Sequence, residues 1–205
     1  MIAGIILAAG TAKRMGCSKQ LLPLGEKTIV WQVANTACLS KIDTVILVTG
    51  AYHEQVSAAV QDLDLSLVHN PNWAAGQASS LKAGLQALHP EVSAVMFLLA
   101  DQPLVTPALI NALLDQYARS GRSIICPAYN NHRGTPVLFD RKTWQKSLDN
   151  LQGDRGARQI LAANPDCIDF VAVDSEGYFC DVDTESDYRK VCSLFADKAA
   201  RFRTD

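Results

Sequence analysis

A three-layer α/β sandwich with a mostly parallel central sheet is predicted by two observations along the 205 residues, and an antiparallel excursion by a third. Apolar runs rich in Val, Ile and Leu recur at Ile2-Ala9, Thr44-Thr49, Leu65-His69 and Ala94-Leu99, each the length of a strand buried on both faces. Helix-length segments lie between them, and such alternation points to parallel strands joined by right-handed crossovers, with ligands at the carboxyl ends of the strands. After residue 120 the alternation breaks. Ser123-Tyr129 and Gly134-Phe139 are strand-like runs separated by the polar Asn130-Asn131-His132-Arg133, which suits a hairpin or an extended active-site loop.

The helices follow from apolar stripes. Thr28-Leu39 aligns Ile29, Val33 and Ala37; Ser79-Leu88 aligns Leu81, Leu85 and Leu88; Thr106-Ser120 aligns Leu109, Leu113 and Leu114, with Thr106 as N-cap and Pro107 at the first helical position. A helix over Arg141-Asn150, a turn at Gly153-Asp154-Arg155-Gly156, a helix from Ala157 to about Asn164, a strand at Ile168-Val173 and a last helix from about Glu185 complete the chain. With no linker, repeat or low-complexity tract, residues 1–195 read as a single domain and 196–205 as a tail expected to fray.

Composition narrows the function classes. Hydrophobic residues make up 48% and charged residues 20%, with mean hydropathy +0.04, enough for a sizeable core and too little charge for disorder. Net charge is −2 and the isoelectric point about 6.1, so no global basic field draws in nucleic acid or anionic lipid, and a bound phosphate must be held by local geometry. The apolar opening at Met1-Ala9 lacks a preceding Lys or Arg and is too short for a signal peptide, and no run approaches the roughly 18 apolar residues of a membrane span. A cytoplasmic protein without a membrane partner is expected. The six cysteines include no C-x-x-C pair and read as reduced and buried.

The stretch after the first strand is the richest in chemistry. Small residues Ala8-Ala9-Gly10 let a ligand approach the backbone, Gly10 and Gly16 permit a tight turn, and Arg14 and Lys19 supply positive charge suited to a polyphosphate. Neither G-x-x-x-x-G-K-[ST] nor G-x-G-x-x-G is present. A surface turn with two solvated cations fits the same residues. Asp101 ends the apolar run Val95-Ala100, so its carboxylate emerges at the carboxyl edge of a buried strand, where it could hold a hard cation or cap the segment before Pro103.

Leu7-Ala8-Ala9-Gly10 followed by Arg14-Met15-Gly16 and Lys19 resembles the signature loop of the nucleotidyltransferases with a glycosyltransferase-A-like fold, the MobA-like NTP transferase family, particularly its molybdenum cofactor cytidylyl- and guanylyltransferases. Four later segments agree in order and spacing: His69-Asn70-Pro71 with Gly76-Gln77-Ala78-Ser79-Ser80; Leu99-Ala100-Asp101-Gln102-Pro103; Gly134-Thr135-Pro136; and Asp181-Val182-Asp183-Thr184 with Asp187. The resemblance covers residues 1 to about 195 and implies a Rossmann-like sheet of the nucleotide-diphospho-sugar transferase type.

The resemblance also implies roles. Asp101 and Asp183 would hold Mg²⁺, Arg14 would lie along the β- and γ-phosphates, and Lys19 would meet the α-phosphate. The base would rest against Leu7, Ala8, Ala9 and Gly10 and the segment carrying Asn70, Gly76, Ser79 and Ser80, although ordinary N-capping also explains Ser79. Ala-Ala-Gly favours CTP over GTP, since the guanylyltransferases tend to carry an additional glycine. His132, Arg133, Gly134 and Pro136 would line the acceptor side, with Arg133, Arg155 and Arg158 suited to a phosphorylated pterin; related cytidylyltransferases often have His where Thr135 stands. Spacing does not separate Asp181 and Asp187, as caps or structural partners, from a metal role. His53, His69 and His89 read as surface or packing residues, and Trp31, Trp73 and Trp144 as packing residues. The implied activity is Mg²⁺-dependent transfer of CMP from CTP to phosphorylated molybdopterin with release of pyrophosphate, with a molybdenum hydroxylase as a possible recipient of the product. Transfer to a sugar or alditol phosphate, use of GTP, and a non-catalytic nucleotide-binding cofactor chaperone are the alternatives.

Overall fold

The computed structural model describes residues 1–11, 18–130, 132–154 and 156–201. In chain order it runs β1 (Ile2–Ala8), a small hairpin of β2 (Pro23–Leu24) and β3 (Lys27–Thr28), α1 (Ile29–Cys38), β4 (Thr44–Thr49), α2 (His53–Ala59), β5 (Ser66–His69), α3 (Gln77–Gln86), β6 (Ala94–Leu99) and α4 (Pro107–Ser120). The second half holds β7 (Ile124–Tyr129), β8 (His132–Arg133), β9 (Val137–Asp140), α5 (Arg141–Asp149), α6 (Arg158–Ala163), β10 (Ile168–Ala172) and α7 (Glu185–Arg201).

The main sheet has the order β5-β4-β1-β6-β9-β7-β10, with β8 paired to β7. Neighbours β5, β4, β1 and β6 are parallel, as are β7 and β10, while β9 runs antiparallel to both β6 and β7. The expected three-layer sandwich and its antiparallel excursion are therefore both present. Ile5 lies opposite Ile46 on one side and Phe97 on the other, and the next residue, Ile6, opposite Leu47 and Leu98. Alternate side chains of a strand point to opposite faces, so these two rows seed two separate cores. Ile5, Ile46 and Phe97 pack with α3, α5 and α6 through Leu81, Leu148 and Ile160. Ile6, Leu47 and Leu98 pack with α1, α2 and α4 through Val33, Val56 and Leu113. A third cluster joins Val191 of α7 to Leu24, Ile29, Leu104 and Val182.

Local chemistry explains the helix starts. The Thr28 and Thr106 hydroxyls accept from the backbone N–H groups of Trp31 and Leu109, and Asp140 accepts from Thr143. Close packing of α3 needs Gly84, where a Cβ would fall 2.7 Å from Ile5 Cγ2. Helix α2 carries no stripe of the kind that marks its neighbours, because it buries only Val56. Strand β5 departs from its expected burial on both faces: it is the sheet edge, and Leu67 is 43% exposed. Helix α7 continues through residues assigned to the tail, as far as Arg201. Among the described cysteines only Cys126 is buried, whereas Cys38, Cys167, Cys180 and Cys192 are half-buried on helix flanks and loops, so the expectation of uniform burial is corrected.

Candidate nucleotide and acceptor site

From β1 the chain passes to β4 and β5 on one side and then returns to β6 on the other. The carboxyl ends of β1 and β6 therefore flank the topological switch point, where open parallel sheets leave a crevice. A cleft of about 980 Å³ opens there. Leu7 pairs with Leu99, and the Ala100 N–H donates to the Leu7 carbonyl at 3.2 Å, which sets the Ala9-Gly10 turn beside Asp101.

Of the residues assigned to nucleotide binding, Leu7, Ala9, Gly10, Lys19, Gly76, Ser80 and Asp101 line this cleft. Three others do not. Ala8 points to the opposite face and packs in the α1 core, as strand alternation dictates. Asn70 is buried and acts through others: its amide donates to the hydroxyls of Ser79 and Ser80 at 2.8 and 3.0 Å. The Ser79 hydroxyl is turned back toward the carbonyls of Asn72 and Gly76, at 2.9 and 2.8 Å. Helix α3 starts two residues before Ser79, after Gly76, whose φ of 101° and close contact with Gly153 exclude a side chain.

Lys19 opens a short 3-10 turn over Lys19–Leu21, anchored by its neighbour. The buried Gln20 amide donates to the Gly10 carbonyl at 3.3 Å, and the Ser18 hydroxyl donates to Gln20 Oε1 at 2.9 Å. Both sides of the loop are thus tied to the strand end. Arg14 lies outside the described residues, as do Asn131 and Arg155. From this turn the Lys19 ammonium reaches Asp101 Oδ2 at 2.5 Å and Asp183 Oδ1 at 2.7 Å. Burial pulls the Lys19 pKa down, but the two carboxylates outweigh it, and the ammonium is held above the usual lysine value.

The acidic turn before α7 divides by environment. Val182 N–H donates to the Asp101 carbonyl at 3.1 Å, which binds this turn to the end of β6 and brings Asp183 into the cleft. Asp187 is a cap: its carboxylate accepts from the Thr184 N–H and hydroxyl at 2.9 and 2.8 Å. Asp181 is half-buried, and burial, with repulsion from Asp101 and Asp183, raises its pKa although the Gln102 amide donates to it at 2.7 Å. Among the described residues no group of three or more His, Cys, Asp or Glu is arranged to hold a metal ion. Asp101 and Asp183 nevertheless close two hard oxygen donors on one cation, Lys19, and that donor pair fits a small divalent ion completed by phosphate oxygens.

A second pocket of about 340 Å³ continues from the first and shares Leu7, Leu99, Arg158 and Asp181 with it. Its walls are mainly carbon, from Leu81, Phe97, Val137, Leu161 and Phe179, with polar atoms from Gln102, Thr135 and Arg133. Thr135 donates to Gln102 Oε1, so Gln102 links the Gly134-Thr135-Pro136 turn to Asp181. Of the residues assigned to the acceptor side, Arg133 and Gly134 line this pocket, whereas His132 and Pro136 do not. His132 precedes Arg133 on β8 and so projects to the other side of the strand, and Pro136 is buried beneath the wall. Sequence reasoning passed over Gln20 and Phe179, and gave Trp73, which lines the first cleft, a packing role only. Gln102 had a signal, its place directly after Asp101; Phe179 had none.

Residues 4–168 match the MobA-like NTP transferase domain. The chain belongs to this family. It is therefore a nucleotidyltransferase of the MobA-like type, with the helix-flanked mixed sheet of that fold. Nicotine blue oxidoreductase of Paenarthrobacter nicotinovorans is 32% identical, over 92% of this chain and 95% of that protein. Molybdenum cofactor cytidylyltransferase of Escherichia coli K12 is 24% identical, over 90% and 92% respectively. The crystal structure of Rv0371c from Mycobacterium tuberculosis H37Rv superposes with a TM-score of 0.84 at 31% identity, covering 94% of this chain and 97% of that one. A structure of Rv0371c in complex with manganese gives 0.77 at 30% identity, covering 94% and 98%. Among the described residues no helix is long and apolar enough to cross a membrane.

Proposed function

We propose that this MobA-like protein transfers CMP from CTP to the phosphate of molybdopterin, releasing pyrophosphate. The observation that carries the reading is the convergence of Asp101 and Asp183 on a single cation at the carboxyl edge of β1 and β6, beside the small-residue turn Ala9-Gly10. A triphosphate laid along that turn has its α-phosphorus near the carboxylates and the acceptor pocket beyond. An oxygen of the acceptor phosphate attacks the α-phosphorus, the bond to the bridging oxygen breaks, and pyrophosphate leaves. That oxygen is already ionised near neutral pH, so positioning and charge neutralisation carry the reaction without a strong base. Asp101 and Asp183 would hold Mg²⁺, which when bound would supply charge neutralisation at the phosphates. Lys19 meets the α-phosphate, Arg14 the departing pyrophosphate, and Arg133 and Arg158 the anionic acceptor. The similarity to a cytidylyltransferase and the manganese complex of Rv0371c support this reading. So does the Ala-Ala-Gly turn, which favours CTP.

A second reading rests on the carbon-walled pocket and on the higher identity to nicotine blue oxidoreductase: conversion of nicotine blue or a similar compound by oxidation or reduction. One panel separates the two. CTP, GTP, ATP and UTP are each offered with phosphorylated molybdopterin and with sugar and alditol phosphates while pyrophosphate is measured; in parallel, loss of nicotine blue absorbance with an added reductant is followed. Pyrophosphate release requiring CTP and molybdopterin is the expected result. Dye bleaching without pyrophosphate release supports the second reading, and tight CTP binding without turnover on any acceptor supports a cofactor chaperone. Delivery of the product to a molybdenum hydroxylase in the cytoplasm completes the proposal.

A further inference from the structure

We infer that the Lys19 ammonium and the divalent cation use one seat, the gap between Asp101 and Asp183, so that the metal docks only as Lys19 leaves. Nucleotide phosphates are what draw Lys19 out. The inference rests on Asp101 and Asp183 being the metal ligands of the proposed reaction. It adds an order of events and a reason for it.

The geometry is specific. One Nζ takes an oxygen of each carboxylate, at 2.5 and 2.7 Å, and those oxygens face the same gap that a bridging cation would fill. An ammonium and a divalent ion cannot share it, because like charges at such a separation repel strongly. The Lys19 and Asp101 side chains are only 15% and 19% exposed, so water screens this competition weakly, while Asp183 at 47% leaves the gap open toward the cleft. Lys19 can leave without moving the backbone. The adjoining Gln20 is pinned to the Gly10 carbonyl, and the flexible four-carbon stem swings from a fixed point on the cleft wall, within reach of whatever lies on the Ala9-Gly10 turn. In the nucleotide-free protein a metal must break both ion pairs. With a triphosphate in the cleft, Lys19 gains phosphate partners as it gives up the carboxylates, so metal and nucleotide assist one another.

The test is Mn²⁺ binding, read from the EPR signal of free Mn²⁺, on the full chain without acceptor. In the absence of nucleotide, Lys19→Ala and Lys19→Met should bind Mn²⁺ about tenfold or more tighter than wild type, while Lys19→Arg stays weak. The factor by which CTP tightens Mn²⁺ binding should be smaller in Lys19→Ala and Lys19→Met than in wild type. The Met variant keeps the apolar stem should Ala disturb the turn. Equal or weaker Mn²⁺ binding by folded Lys19→Ala and Lys19→Met overturns the shared seat. Asp101→Asn distinguishes that failure from failure of the metal assignment: Mn²⁺ binding that ignores Asp101→Asn places the ion elsewhere and sinks the proposed role of Asp101 itself.

Discussion

The Gln102 side chain donates its amide to Asp181 at 2.7 Å, across 79 residues of sequence, where the larger cleft meets the carbon-walled pocket. Its carbonyl accepts from Thr135 in the same place. One buried amide therefore couples the end of β6, the Gly134-Thr135-Pro136 turn and the acidic turn before α7. Gln102→Leu leaves the Asp181 carboxylate without this donor, and stability in urea should fall by about 1–3 kcal/mol. Gln102→Glu keeps the acceptor for Thr135 but sets a like charge against Asp181, so its deficit should be larger near pH 7 than near pH 5. A deficit that does not change with pH would show that charge at residue 102 is not felt by Asp181.

Lys19 separates chemistry from binding. In the proposed reaction its contact with the α-phosphate would strengthen as charge moves onto the transferring group, so Lys19→Ala should lower single-turnover rates by about 100-fold or more while CTP affinity changes less. Arg14→Ala should weaken both if Arg14 takes its proposed role, since a planar guanidinium can pair with phosphate oxygens before and during transfer. Rates and direct binding on folded variants decide it. Full turnover of Lys19→Ala with saturating acceptor would falsify the catalytic role of this lysine.

The base preference is settled by competition. With CTP and GTP present at equal concentration, the wild type should consume CTP first. Ala9 is 5% exposed and lines the cleft, so Ala9→Val should weaken CTP binding by about tenfold with a smaller shift in the urea midpoint. Preferential use of GTP would leave the family intact and overturn the cytidylyl assignment.

Acid sensitivity has a local source at the start of α5. Burial pushes the Asp140 carboxyl up, but donors from Thr143 at 2.6 and 2.8 Å and the Tyr117 hydroxyl at 2.8 Å outweigh it, and its pKa lies below the usual 3.8. A depressed carboxylate contributes stability that is present above the unfolded value and lost as pH falls through the folded one. Asp140→Asn still caps the helix but cannot titrate. The stability gap between wild type and Asp140→Asn should therefore narrow as pH falls from about 6 to about 3, and a gap independent of pH in urea denaturation removes Asp140 from the acid response.

Strands β1, β4 and β6 and helices α1, α3 and α4 were legible because each obeys a local rule: an apolar run for a strand covered on both sides, a stripe of period 3.6 for a helix covered on one. Helix α2 escaped because a segment that buries one residue has no stripe to read. The edge strand β5 was read as doubly buried because composition does not reveal sheet order. At the site, Gly10, Lys19 and Asp101 were marked by residue type at strand ends.

What tertiary structure decided was direction and partnership. Whether Ala8 or Ala9 faces the cleft follows from the phase of β1 against its neighbours, and that phase depends on which helix covers which face. Ser79 has the residue type and position to meet a nucleotide, yet its hydroxyl is spent on the carbonyls of Asn72 and Gly76. Asp181, Asp183 and Asp187 are chemically alike and close in sequence, yet one is held by Gln102, one faces Lys19 and one caps a helix. A sequence states which groups a chain carries. The long-range pairing of β6 with the turn before α7 determines which of them share a charge, because electrostatic and hydrogen-bond energies depend on distances that only folding sets.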